Sequence, residues 1–488
     1  MKMKKKILSA AVLAALGAST AQAVNVGTDG TGQVLLFPYY TVQGGEKTNL
    51  SVVNTTDYGK AVKIRFREAY DSREVLDFNI YLSPYDVWTG TVQESTTGSG
   101  AAQVTTNDMT CTVPTLYGNP QDFRTYEFDG VTKPNDNGPA DNSRTREGYV
   151  EIIEMGVADL VTMPGALVWD QNGNGIPDYL HSNSVPDNCA GLIAAWGAQW
   201  NTAPNTGLLP PMGGIFGALG ILNVATGTEI AVAAVGLEDV FTTPQHNDTG
   251  TLAPTLAQAD PESVVMLNDG GPLGQDVTVY ADTWGFGPTI NGVSAVLMAD
   301  SVMNQWSVNP AVDANTGWVV TFPTKWAHTD PLVVGAVATP PFTDVFGSND
   351  LFPAGDACEE VGVIVYDREE NSVVPSGLDF SPTPVAPGVY LCYEANMVQF
   401  GGSDTLSAQN TVLTYTNLPG NNGWMNLSMT ADPLHAMIAD SGNVYAGLPV
   451  VGFRATVLGN ANVGVGASYA YSTDHSYHRT ISGTGTPF

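Results

Sequence analysis

The sequence has few basic residues. Its 488 residues include 18 lysines and arginines against 48 aspartates and glutamates, which gives a formal net charge of −30. Binding to nucleic acid and electrostatic docking on anionic lipid both need a basic face, so the imbalance argues against both kinds of partner. The composition instead predicts an acidic surface that attracts divalent cations.

Long apolar segments are also scarce. Beyond residue 23 no run of about 18 apolar residues occurs, so no transmembrane helix is predicted in that part of the chain. Residues 1–23 begin with a cluster of lysines, continue with a short apolar run at 7–17 and end in Ala-Gln-Ala. These are the parts of a secretory signal peptide. We therefore expect an exported protein, located in the periplasm, on the outer surface or outside the cell.

There are only four cysteines, and no C-x-x-C motif is present. This spacing argues against a redox motif and against a zinc knuckle. An even number of cysteines in an exported protein predicts two disulfides, for which three pairings are possible. We favour Cys111–Cys189 and Cys358–Cys392, because this pairing keeps each bridge inside one region of the chain.

Familiar catalytic motifs are missing. No G-x-S-x-G, H-E-x-x-H or P-loop pattern occurs, and the chain has only six histidines. His475 and His478 lie close together in "HSYH", and we favour a chance pairing or a surface role over a shared metal site. A carboxylate pair for glycoside hydrolysis remains open, because the sequence does not define the distance between acids. No catalytic residue is predicted, and a non-enzymatic protein is favoured.

Glycine and proline, by contrast, are abundant, at 53 and 31 residues. They separate short segments that are apolar or alternate in polarity, such as 32–42. The segment 213–236 is typical of two strands around a turn. This rhythm predicts a mainly β fold, with an immunoglobulin-like β-sandwich core, long loop insertions and two disulfides. The best helix candidate is 189–201, where Leu192, Trp196 and Trp200 have helical spacing and are expected to pack.

The length of the chain indicates two or three domains. After the signal peptide at 1–23, we expect four regions. They are N-terminal sandwich strands at 24–96, a loop-rich insertion with Cys111 and Cys189 at 97–210, a β-rich continuation of the core at 211–340 and a C-terminal β-rich region at 341–488.

One predicted strand carries much of the scarce positive charge. Between residues 62 and 67, apolar side chains alternate with Lys63, Arg65 and Arg67, which is typical of a strand with one solvated face. The basic face could recognise a partner. Pairing with acids on a neighbouring strand is the favoured interpretation.

The segment "WDQNGNGIPDYL" at 169–180 carries the most specific signal for a bound ion. Asp170, Asn172 and Asn174 place side-chain oxygens at alternate positions, Ile176 offers its carbonyl after a glycine, and Asp178 follows. Calcium loops use hard oxygen ligands in this order. The spacing predicts a structural calcium site, with a further ligand from Asp187 or Glu154. The alternative is a cluster of Asx turns that binds no metal.

Residues 170–181 resemble the calcium-binding loops of thrombospondin type 3 repeats. The resemblance implies calcium as the ligand, but His181 stands where the family often has a closing acid. Three further phrases, at 34–54, 317–330 and 447–453, resemble a group of exported proteobacterial proteins of unassigned function. That wider similarity implies no activity.

These features together favour a calcium-stabilised, non-enzymatic structural protein of the cell surface or extracellular space. A surface-layer, filament or matrix subunit would fit, and its expected partners are other copies of the chain or other surface components. A secreted carbohydrate-binding protein or hydrolase is the alternative, and an outer-membrane barrel is a third. The sequence leaves open the ligand, the oligomeric state and whether the protein stays attached to the cell.

Overall fold

The computed structural model is mainly β. It describes residues 23–133, 136, 138–162, 165–268, 277–285, 287–347, 357–373, 388–401, 405–408, 412–459 and 468–487. The predicted signal peptide, apart from residue 23, lies outside these residues. Helices in the described part are short: Gly165–Val168, Cys189–Trp196, Gln199–Thr202, Asn291–Leu297, Trp326–Thr329 and Pro331–Val334, with 3-10 turns at Gln43–Gly45, Asn142–Arg146, Leu256–Gln258 and Pro310–Val312.

The first half of the chain builds two antiparallel sheets. Sheet I has the order β1-β16-β2-β10-β4-β5-β8, with β13 beside β10, and sheet II has the order β15-β14-β3-β6-β7-β9. The strands are β1 Asn25–Val26, β2 Val34–Thr41, β3 Glu46–Asn54, β4 Lys60–Glu68, β5 Glu74–Leu82, β6 Val87–Glu94, β7 Ala102–Thr105, β8 Cys111–Val113, β9 Gln121–Asp122, β10 Glu147–Ala158, β11 His181–Ser182, β12 Val185–Pro186, β13 Leu208–Leu209, β14 Ile215–Asn223, β15 Thr228–Val232 and β16 Val235–Glu238.

The second half adds two more large sheets. Sheet III has the order β26-β25-β21-β31-β32, and sheet IV has the order β23-β22-β27-β20-β33, with β24 beside β22. The strands are β17 Glu262–Asn268, β18 Val277–Thr283, β19 Met298–Ala299, β20 Ser301–Ser307, β21 Ala314–Thr321, β22 Glu359–Asp367, β23 Ser372–Val373, β24 Val389–Leu391, β25 Ala395–Phe400, β26 Val412–Tyr415, β27 Asn422–Ser428, β28 Ala436–Ile438, β29 Val444–Ala446, β30 Leu448–Pro449, β31 Val451–Gly459, β32 Ser468–Asp474, β33 Ser476–His478, β34 Ile481–Ser482 and β35 Thr486–Pro487.

Sheets I and II share one hydrophobic core. Alternate residues of β2, such as Leu35 and Phe37, face this core together with Val52 of β3 and Trp88 of β6. The segment 213–236 forms β14 and β15 around a turn, as predicted, and β14 pairs with β3 across its whole length. The mainly β prediction is therefore confirmed. The immunoglobulin-like form of the sandwich stays a prediction.

Sheet III is buried on both faces. Trp318 and Val320 of β21 pack in a core shared with sheet IV, while Val319 between them belongs to the core of sheets I and II. On β25, Val398 packs in the core shared with sheet IV, and Met397 packs in the core of sheets I and II. Because both faces are covered, these strands have apolar residues at consecutive positions instead of an alternating pattern.

The basic strand predicted at 62–67 exists as β4, but the prediction that one of its faces is solvated is wrong. Lys63 and Arg65 are fully buried and Arg67 almost so. Backbone carbonyls of residues 248–254 cover this face and accept hydrogen bonds from Lys63 Nζ and from the Arg65 guanidinium. A loop almost 190 positions further along the chain thus replaces the expected water.

Pairing of these basic residues with acids on neighbouring strands is confirmed. Lys63 Nζ lies 2.6 Å from Asp77, and Arg65 Nε lies 2.6 Å from Glu74, both on β5. Arg67 Nε lies 2.9 Å from Glu151 on β10. Desolvation of a charge is costly unless an opposite charge is close, so these pairs are what allows β4 to be buried.

Both disulfides form with the favoured pairing, Cys111–Cys189 and Cys358–Cys392. The first anchors the predicted helix, which runs from Cys189 to Trp196 and breaks at Ala198, whose backbone is not helical, before a second turn at Gln199–Thr202. Trp196 and Trp200 are buried in an aromatic core beside this bridge, so their predicted packing role is confirmed.

Candidate metal site

The loop at 170–178 leaves the aromatic core and returns to it. Trp169 and Tyr179, on either side of the loop, are buried, and their rings meet edge to face at 5.3 Å. The amide of Asp178 donates to the carbonyl of Trp169 at 2.6 Å, which closes the base of the loop. Since its two ends are held together by apolar packing, the polar residues between them project as one compact lobe.

Side-chain oxygens inside the loop accept hydrogen bonds from its own backbone. Asp170 accepts from the amides of Asn174 (3.0 Å) and Gly175 (2.8 Å), and Asn174 Oδ1 accepts from Ile176 (2.8 Å). Gly173 and Gly175 have φ values of 69° and 84°, a conformation that residues with a Cβ rarely adopt. The geometry thus combines the Asx turns of the metal-free interpretation with the tight glycine turn that calcium loops require.

A third carboxylate joins the loop from outside it. Asp187 accepts hydrogen bonds from the side-chain amides of Asn172 (2.8 Å) and Asn174 (2.9 Å). The sequence offered Asp187 and Glu154 as a further ligand. Glu154 is instead fully buried against Lys60 at 2.6 Å, so Asp187 is the one that the fold brings to the loop.

The carboxylate of Asp178 is the most enclosed of the three. It is buried and accepts from the Gln171 amide (3.1 Å) and from Asn188 Nδ2 (3.0 Å). Burial raises the pKa of Asp178, and the negative charges of Asp170 and Asp187 raise it further. Within the described residues, no lysine or arginine forms an ion pair with any of these three acids.

His181 does not belong to the site. Its Nδ1 lies 2.8 Å from the Ser83 hydroxyl and 3.5 Å from Asp86. Ile176, by contrast, lies in the loop. Its carbonyl, the atom that the spacing assigns to calcium, accepts no hydrogen bond from any described residue. The structure therefore brings together every predicted loop residue, adds Asp187 and directs His181 elsewhere.

The donor set suits calcium better than a transition metal. It consists of carboxylate oxygens, asparagine amides and one backbone carbonyl, which are hard ligands. Over the described ranges, no three His, Cys, Asp or Glu side chains converge as a ready-made cluster. A cation bound here must therefore also use Asn172 and Asn174, whose NH2 groups now face Asp187 and whose oxygens would come round by rotation of the amide.

The described histidines form no second candidate centre. His475 lies 2.9 Å from the carbonyl of Val319, whereas His478 lies 2.8 Å from Asp300, so the two do not share a site. His328 is buried between the hydroxyls of Ser294 (3.1 Å) and Thr339 (3.0 Å). A serine–histidine pair of this kind needs a carboxylate partner and access for a substrate to act as a nucleophile, and here a threonine takes the place of the acid.

Comparisons with known proteins return no similarity. No protein-family model, no curated protein and no solved structure matches the chain. Among the described residues, no helix is long and apolar enough to cross a membrane.

Proposed function

We propose that the chain is an exported structural protein of the cell surface or extracellular space and that the loop at 170–178 binds calcium. One observation carries the proposal. Asp170 and Asp178 accept hydrogen bonds from backbone amides of the loop, Asp187 accepts from the side-chain amides of Asn172 and Asn174, and none of the three carboxylates has a basic partner among the described residues. Grouped carboxylates repel one another, and an external cation relieves that repulsion.

The proposed ligands are the side-chain oxygens of Asp170, Asn172, Asn174 and Asp178, the carbonyl of Ile176 and the carboxylate of Asp187. When bound, calcium supplies positive charge and a rigid centre for the lobe, with no role in bond making. The loop lies beside the Cys111–Cys189 bridge, so both devices would stiffen the same region. Exposure of Asn172 and Asn174 favours the moderate affinity that suits extracellular calcium.

The location of the basic residues supports an acidic outer surface. Of the 18 lysines and arginines, four precede residue 24, and eight of the other fourteen are buried. The buried ones are Lys60, Lys63, Arg65, Arg67, Arg73, Arg144, Lys325 and Arg454. Because these basic residues are inside, they leave the surface with a smaller basic share of charged side chains than the whole chain has, as expected of a protein that works in a calcium-containing medium.

The test is thermal unfolding of the full chain without its signal peptide, in EGTA and then in calcium. Calcium at about 100 times its Kd should add about 2.7 kcal/mol to the free energy of unfolding. Asp187→Ala should abolish this gain. Asp57→Ala, which removes an equal charge from an exposed position, should keep it. An equal calcium response in wild type and Asp187→Ala would refute the loop as the binding site.

Light scattering on the same samples tests the structural role. We expect calcium to drive growth into large ordered particles, and we expect Asp187→Ala to remain at the size seen in EGTA. A calcium-stabilised chain that remains a monomer at every concentration would keep the metal site but contradict the assembly function.

A further inference from the structure

An open groove lies on the outer face of sheet II, away from the loop at 170–178. It has a volume of about 530 Å³, within the range of small-molecule sites. Its floor is formed by β3, β6, β7, β14 and β15, on the side of the sheet opposite the hydrophobic core. We propose that this groove binds a neutral oligosaccharide.

The strand register explains why the face is concave. Gly220 of β14 lies opposite Asn49 of β3 and also opposite Ala231 of β15. Ala218, two residues before Gly220, lies opposite Ser51. The small side chains of β14 and β15 therefore leave a trough beside the polar residues of β3, which continues onto Thr89 and Thr91 of β6.

Several hydroxyls of the groove have weak internal partners. The Ser51 hydroxyl donates to the Ala218 carbonyl at 3.4 Å and accepts from the Ala218 amide at 3.3 Å. The hydroxyl of Thr105 donates to a backbone carbonyl at 3.4 Å, and that of Thr89 donates to Asp108 at 3.4 Å. These distances are long for hydroxyl donors, whose bonds are usually near 2.7–2.8 Å. Asn49 accepts a good bond from Thr91 (2.9 Å), and within the described residues no acceptor is paired with its NH2 group. Such hydroxyls and amides are free to exchange water for the hydroxyls of a sugar.

The charge of the groove and of the whole chain indicates which class of polar ligand the groove can bind. Among the described residues that line the groove, Glu229 is the only one with an ionisable side chain, and the whole chain carries a formal charge of −30. An anionic polymer is repelled by that field, and a cationic peptide finds a single carboxylate. A neutral polyhydroxylated ligand matches the hydroxyl and amide lining.

One end of the same face offers an apolar contact. Phe216 precedes Ala218 on β14, is 40% exposed and lies opposite Val53, which in turn lies opposite Val87. Sugars present a C–H face to such side chains while their hydroxyls bond to polar groups. The combination of an apolar end and a hydroxyl-lined trough is what an oligosaccharide requires and what a simple ion does not.

Calorimetric titration of the full chain with neutral hexasaccharides tests the proposal, using cellohexaose, xylohexaose, maltohexaose and hexa-N-acetylchitohexaose, with hexalysine for comparison. We expect saturable binding of at least one sugar. Ala218→Trp should fill the trough and abolish that binding, while Ala281→Trp, at an exposed position on β18, should leave it unchanged. Circular dichroism checks that both variants fold.

Asn49→Ala is the milder variant, because it removes an exposed side chain without adding volume. It should weaken sugar binding by about tenfold, the effect of one lost hydrogen bond. Three results would overturn the proposal: no binding of any of the four sugars, binding that Ala218→Trp and Asn49→Ala leave intact, or binding of hexalysine alone.

Discussion

Two acidic regions of the molecule differ in how their charge is balanced. In the interior around sheet I, each of six basic residues lies within reach of a carboxylate: Lys60 with Glu154, Lys63 with Asp77, Arg65 with Glu74, Arg67 with Glu151, Arg73 with Asp330, and Arg144 with Glu68 and Asp136. We name this set the charge seam. In the loop at 170–178, the carboxylates have only amide partners among the described residues.

The comparison shows that this chain, which has few basic residues, places six of them beside carboxylates in its interior. A buried carboxylate loses its hydration, whereas an exposed one keeps it. A basic residue therefore stabilises the fold most where it pairs with a buried carboxylate. The seam also joins the two halves of the chain, because Arg73 on the β4–β5 turn reaches Asp330, beyond sheet II in the sequence. The carboxylates of the loop would instead be neutralised by a cation from the solvent.

The largest effect should come from breaking the seam. Arg144 is fully buried, with Glu68 at 2.7 Å and Asp136 at 2.6 Å. Arg144→Ala leaves both acids buried without that partner, so we expect a loss of about 3–5 kcal/mol in the free energy of unfolding. Urea denaturation measures it. The exposed Arg124→Ala is the matched control, expected within about 0.5 kcal/mol of wild type.

Removing each disulfide in turn should show that stability depends on both bridges and calcium binding on only one. Replacing either pair of cysteines by serine should cost about 2–5 kcal/mol. Only loss of Cys111–Cys189 should also weaken calcium binding, because that bridge lies in the aromatic core that holds Trp169 and Tyr179. Calorimetric titration of calcium into both variants checks this. Equal calcium affinities would show that the loop keeps its shape without the bridge.

Histidines in the interior should make the fold sensitive to acid. Burial lowers the pKa of His246 to about 3, of His328 to about 3 and of His475 to about 4. Their contribution to stability is complete above pH 6.5. As pH falls below 6.5, the unfolded chain takes up protons that the folded chain refuses, and each histidine costs about 1.4 kcal/mol per pH unit until its folded pKa is reached.

Urea unfolding between pH 7 and pH 5 measures this slope. His246→Asn should reduce it by the contribution of one histidine, whatever the stability of the variant at pH 7. A slope equal to that of wild type would mean that His246 takes up its proton in the folded state.

The sequence predicted local features well. The turn between β14 and β15 follows from a pattern within a few residues, and the disulfide pairing follows from the favoured nearest pairing of cysteines. Calcium binding by the loop stays a prediction. The sequence left Asp187 and Glu154 open as a further ligand. The position of Asp187 two residues before Cys189 is a local signal that could have decided between them, because the bridge holds that segment beside the loop.

Burial of β4 could not be predicted in the same way. An alternating strand looks the same whether water or protein covers its polar face, and here the cover is the backbone of residues 248–254. The groove on sheet II is equally non-local. It depends on a register that places Gly220 beside Asn49, which no single segment reveals.

The central claim is that the loop lacks an internal cation, and supplying one tests it most directly. Asn172 is exposed, and its amide lies 2.8 Å from Asp187, so Asn172→Lys would place an ammonium group at that carboxylate. The measurement is the Tm of this variant and of wild type, each in EGTA and in calcium. We predict that Asn172→Lys melts above wild type in EGTA and gains nothing from calcium. A variant that melts no higher than wild type in EGTA and keeps the full calcium response would contradict the account.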